Sequence, residues 1–188
     1  MVISEKELIK LCQRKKAKGQ KLLYEKYYRN LLGICMRYAK SKDEAEDTLQ
    51  LGMIRIFQSI NSYSGSGSFE GWMKRIIINI AVDNFRKNSK HYHHRDIDDF
   101  NVHSDIVTEL PNNIEVKEIL NTIQQLPDGY RMVFNLYAIE GYTHKEISIK
   151  LGISESTSKT QLLKARISLR KKLQAMNQLP SQKVLADG

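Results

Sequence analysis

Hydrophobic positions recur every three or four residues through most of this chain. Leu22, Leu23, Tyr27, Leu31, Ile34, Cys35 and Tyr38 trace one side of a helix. Ala45, Leu49, Met53, Ile56, Phe57 and Ile60 trace a second, and Trp72, Ile76, Ile77, Ile80 and Phe85 a third. Start signals agree with these stripes. Ser4 stands three residues before Glu7, the spacing of a capping box, and Ser41 precedes Asp43, Glu44, Glu46 and Asp47, acids that favour a helix N-terminus. Ser68 opens the third helix after a Ser/Gly loop over 61–67. No alternating pattern of comparable strength supports a strand, the run Ile76-Ile77-Ile78 included.

From Lys87 to about Asn113 the periodicity fades into a polar stretch ending in Pro-Asn-Asn, which reads as a linker. Helical spacing resumes at Ile114, breaks at Pro127-Asp128-Gly129 and continues to Ile139. The expected fold is therefore all-α, with two small helical domains. A three- or four-helix domain covers 1–92, a flexible, loosely packed linker 93–112, a four-helix domain 113–175 and a frayed tail 176–188.

The segment GYTHKEISIKLGISESTSKTQLLKAR, residues 141–166, adds chemistry to this outline. Thr143 and Glu146 repeat the capping-box spacing, Gly152 suits a left-handed helix end, and Ser154 can cap the following helix. This is the layout of a helix-turn-helix. Ser158, Leu162, Ala165 and Leu169 form the inward stripe of the second helix, leaving Ser156, Lys159, Thr160, Leu163, Lys164 and Ile167 outward. Short hydroxyls and an amide at the start of such a helix approach base edges without clash, while Lys and Arg neutralise phosphates. The candidate duplex-binding residues are Ser156, Thr157, Lys159, Thr160, Gln161, Leu163, Lys164 and Arg166. A plain helical hairpin with a solvated Lys face explains the charge alone, but not the turn chemistry and inward stripe together.

Charge strengthens the nucleic-acid reading. The 188 residues carry a net charge of +9, concentrated over 1–40 and 159–172, whereas residues 95–118 are acidic. With 41% hydrophobic residues the chain is rich enough in apolar groups to bury a core. Cys12 and Cys35 form no CxxC pair and read as reduced thiols. No signal-peptide-like or membrane-spanning run occurs, so a cytoplasmic protein without membrane insertion is expected.

Two blocks carry a family resemblance. KYYRNLLGICMRYAKSKDEAEDTLQLGMIRIFQSI, with the loop and FEGWMKRIIINIAVDNFRKN after it, resembles conserved region two of bacterial RNA polymerase sigma factors. LPDGYRMVFNLYAIEGYTHKEISIKLGISESTSKTQLLKARISLRKKL resembles region four. With only a short linker between them, the chain resembles a sigma factor of the extracytoplasmic-function type over roughly residues 18–173. The resemblance implies core RNA polymerase and promoter DNA as partners, and an anti-sigma factor that sequesters the protein. It implies that the helix from Asp43 to Gln58 docks on the polymerase, with Asp47, Gln50 and Arg55 as contacts. Leu51 departs from the family, which usually has a polar or acidic residue after Leu-Gln. The helix from Phe69 to Lys87 would hold the melted downstream promoter element through Lys74, Arg75, Asn79, Asp83 and Arg86, while the helix-turn-helix reads the upstream element. Cations there track a single strand and an amide reads an extruded base; Trp72 reads as core by its spacing.

Other chemistries are weaker. His91, His93, His94 and His103 lie near Asp96, Asp98 and Asp99, but without the helical or paired spacing of a metal site. No nucleophile–base constellation or phosphate-binding glycine loop occurs. Neither an enzyme, a cofactor nor a small-molecule substrate is expected. The competing reading is a helix-turn-helix regulator that binds duplex DNA without polymerase.

Overall fold

The computed structural model describes residues 3–91 and 114–178, with side chains for 3–88 and 118–175. Eight α-helices build it, and no strand occurs among the described residues. The N-terminal half contains α1 (Glu5–Gln13), α2 (Ala17–Tyr38), α3 (Lys42–Ser59), a 3-10 turn (Ile60–Ser62) and α4 (Phe69–His91). The C-terminal half contains α5 (Ile114–Gln124), α6 (Asp128–Phe134), a π turn (Asn135–Ile139), α7 (His144–Leu151) and α8 (Glu155–Gln178). The stretch read as a linker, 93–112, and its histidines His93, His94 and His103 lie outside the described residues.

The local signals act as their chemistry requires. Ser4 and Glu7 close a capping box at α1, and the Ser41 hydroxyl accepts from the Glu44 amide at the start of α3. The stripes of α2 and α3 meet around Leu23, Leu31, Cys35, Leu49, Met53 and Ile56, all buried. Burying five such aliphatic side chains stabilises the fold by about 1.5–3 kcal/mol each. Cys12 and Cys35 are unpaired and buried, and burial pushes the Cys35 thiol up to about 12.

The α4 stripe is rotated from the expected one. Phe69, Met73, Ile77, Ile78, Ala81 and Val82 are buried, whereas Trp72, Ile76, Ile80 and Phe85 are half-buried. Apolar residues cover so much of this helix that spacing alone does not fix the centre of its stripe. The packing of α2 and α3 on α4 fixes it, and Gly52 of α3 lies so close that a Cβ there would overlap the Ile77 side chain. Trp72 stacks on Phe69 at 5.6 Å between ring centroids, within an aromatic cluster that includes Tyr63.

Two boundaries also differ. The expected break at 127–129 lies instead at 125–127, with Pro127 in the N-cap position of α6 and Gly129 inside its first turn, against Gln161 of α8. Helix α8 runs on to Gln178, past the expected fraying point at Met176.

The halves touch through the end of α2. A helix leaves its last carbonyls without intrahelical donors. Here Met36 O accepts from Gln124 Nε2 at 3.0 Å, Arg37 O from Asn135 Nδ2 at 2.7 Å, and Tyr38 O from Arg131 Nε at 3.1 Å. Arg131 is buried and further donates to Gln124 O, Leu126 O and Asp128 Oδ1. Three polar atoms buried at this contact, Arg37 Nε, the Tyr38 hydroxyl and Asn135 Oδ1, have no partner among the described residues.

Candidate nucleic-acid and polymerase surfaces

The helix-turn-helix forms from α7 and α8. Thr143 and Glu146 exchange capping-box bonds, Gly152 takes φ 70°, and the Ser154 hydroxyl accepts from the Thr157 amide at 3.0 Å. Ile147, Leu151, Ser158, Leu162 and Ala165 are buried between the two helices and α6. Ser158 shares a hydrogen bond with His144, whose ring stacks on Tyr137.

The exposed side of α8 is ordered by short-range bonds. Ser154 Oγ lies 2.8 Å from both Ser156 Oγ and Thr157 Oγ1, and Thr160 Oγ1 donates to Ser156 O. Ser156, Thr160, Leu163 and Ile167 follow at spacings of four, three and four, and so form the middle of that side, with Leu163 59% exposed. Lys159 and Lys164 are exposed on its flanks. Gln161 is half-buried against Gly129, and Arg166 lies over the Tyr137 ring at 5.7 Å, so these two sit at the margin of the surface. A helix with this face meets the requirement for major-groove entry, with small polar groups in front and cations beside them.

On α4, Arg75, Asn79, Asp83 and Arg86 recur at four, four and three and are all exposed. Lys74 is placed differently from the expectation. It stands four residues before the buried Ile78 and seven before Ala81, and its side chain runs to the C-terminal half. There Lys74 Nζ meets Glu140 Oε2 at 2.6 Å, while Arg37 Nη2 meets Glu140 Oε1 at 3.1 Å. The Glu140 side chain is only 6% exposed. Lys150 Nζ donates to Asn79 Oδ1 at 3.4 Å. Glu140, Arg37 and Lys150 were not foreseen, because nothing local marks a side chain that pairs across the chain.

On α3, Asp47, Gln50 and Arg55 are exposed. Leu51 and Ile54, 51% and 53% exposed, stand between them, a pairing of large apolar groups without burial. Leu51 was noted from sequence, while Ile54 passes there for an ordinary helix residue. No cluster of potential metal ligands occurs among the described residues.

Comparison with known proteins places the chain in one family. The Sigma-70 region 2 profile matches residues 23–91 and the Sigma-70 region 4 profile matches residues 117–169. The ECF RNA polymerase sigma factor SigW of Bacillus subtilis (strain 168) is 34% identical over 158 residues, 78% of this chain and 84% of that protein. SigM, another ECF RNA polymerase sigma factor of that strain, is 30% identical over 149 residues, covering 79% and 91%. The RNA polymerase sigma-H factor of Pseudomonas aeruginosa is 24% identical over 183 residues, covering 92% and 95%. With both regions matched in order, and relatives of this identity spanning most of their own length, the chain belongs to the extracytoplasmic-function family of RNA polymerase sigma factors and is not a polymerase-independent regulator.

Proposed function

We propose that α8 reads the upstream promoter element through Ser156, Thr157, Lys159, Thr160 and Leu163, with Lys164 on phosphates and Gln161 and Arg166 at the margin. The melted downstream strand is held along α4 by Arg75, Asn79 and Arg86, with Asp83 orienting Arg86 and Lys74 serving the backbone. Core polymerase docks on α3 through Asp47, Gln50 and Arg55 around the exposed Leu51 and Ile54, since exposed apolar groups rimmed by polar ones suit a protein partner. An anti-sigma factor takes the remaining exposed apolar groups, Ile139 and Ile149 among them. The chain divides into a polymerase-docking and melting domain over 1–92, a linker over 93–112 and a promoter-reading domain over 113–175, a reading supported by the separate region 2 and region 4 matches at 23–91 and 117–169. The protein makes no bonds itself and acts in the cytoplasm, a compartment that suits its two unpaired cysteines.

The observation that carries the melting role is the single exposed stripe of Asn79, Asp83 and Arg86. Opening a duplex requires a site that compensates the unstacking of a base. Permanganate reactivity of promoter thymines, with polymerase in excess, tests it. Asn79→Ala and Arg86→Ala should bind polymerase normally and open promoters less than the wild type. Wild-type opening by both variants would move the role elsewhere in the chain.

A further inference from the structure

Glu140 directly follows the π turn, and its carboxylate lies between cations of the other half, Arg37 of α2 and Lys74 of α4. A carboxylate this dry is tolerated only while its partners stay in place. Ten positions further on, Lys150 of α7 holds Asn79. The C-terminal half therefore engages two of the five side chains assigned to the melted strand. Lys74 cannot neutralise a phosphate while it neutralises Glu140. At the other end of the contact, Gln124, Asn135 and Arg131 hold the carbonyl end of α2, so the arrangement is fixed in register at two places.

We infer that the free chain inhibits itself: Glu140 is a latch that withholds Lys74 from single-stranded DNA, with Lys150 withholding Asn79, until the two halves part. This rests on the strand-holding role given to α4 above. The latch belongs to the chain alone and needs no second protein to act.

The test uses the full-length chain without polymerase and a fluorescent single-stranded oligothymidylate, titrated over a range of salt. Glu140→Gln keeps the side-chain shape and removes the charge. It should bind the oligonucleotide several-fold more tightly, and its log–log salt slope should steepen by about 0.7, one further phosphate contacted on a single strand. Glu118→Gln on the exposed side of α5 adds the same net charge and should leave the slope as it was. In Glu140→Gln/Lys74→Gln the gain should disappear. A Glu140→Gln slope equal to that of Glu118→Gln, or a gain that survives in the double variant, overturns the latch.

Should Glu140→Gln fail to fold, the wild-type chain still decides. Saturation with the oligonucleotide should raise amide hydrogen exchange over 36–41 and 124–131, and unchanged protection there overturns the proposal. Promoter opening separates this idea from the one beneath it. Loss of opening in Asn79→Ala and Arg86→Ala, with no gain in Glu140→Gln, leaves the strand role standing and removes only the latch.

Discussion

Thr143 and Glu146 exchange hydrogen bonds across one turn at the start of α7, and that exchange sets how this helix answers to acid. The Thr143 amide and hydroxyl both donate to Glu146 Oε2 at 2.8 Å. The amide bond first, then the hydroxyl, hold the carboxyl below the ordinary glutamate value of 4.5. A depressed carboxyl contributes stability that is complete above its unfolded value and is lost as pH falls through the folded one. Glu146→Ala should therefore melt below the wild type at neutral pH, with the gap closing as pH falls below 4.5. Thermal melts of both proteins across that range check it, and a gap that persists in acid would show that the effect is not ionic. Thr143→Ala should cost about 1 kcal/mol by removing the cap itself. These residues were legible in the sequence because a cap is decided within four positions. The Ser4–Glu7 box and the Ser41 and Ser154 caps formed for the same reason.

For a helix, legibility depends on how sharply its apolar residues are confined. On α2 and α3 most of the residues the spacing picks out are buried, with Leu22 and Phe57 only half-buried and Leu32 and Met36 of α2 buried besides. On α4 the apolar residues spread around most of the circumference, so the true stripe waited on the packing of α2 and α3. The same rotation turns Lys74 from the exposed side toward Glu140 of the C-terminal half. The exposed side of α8 carries its own prediction. Lys164→Ala should weaken duplex binding generally and lower the salt slope by about 0.9, one phosphate's worth on duplex DNA. Leu163 is large, apolar and exposed in the middle of that side, suited to a thymine methyl. Uracil replacement scanned through the upstream element should reveal one thymine whose methyl is worth about 0.8 kcal/mol, roughly fourfold in affinity. Leu163→Ala should abolish that difference, and if it persists another residue reads the methyl.

At the scale of the molecule, sequence spacing says nothing of how the halves meet. Arg37 and Glu140 are 103 positions apart, and Asn135 reaches the Arg37 carbonyl over 98. Each looks, in its own segment, like an ordinary polar helix residue. What they build has a solvent consequence. Closing the halves strips water from Arg37 Nε, the Tyr38 hydroxyl and Asn135 Oδ1, none of which finds a partner among the described residues. A buried polar atom left in that condition costs about 1–3 kcal/mol. Parting the halves hydrates all three, so water enters the equilibrium as a reactant. Lowered water activity then favours the shut form, and sucrose, which is excluded from protein surface, should weaken capture of a single strand at constant ionic strength.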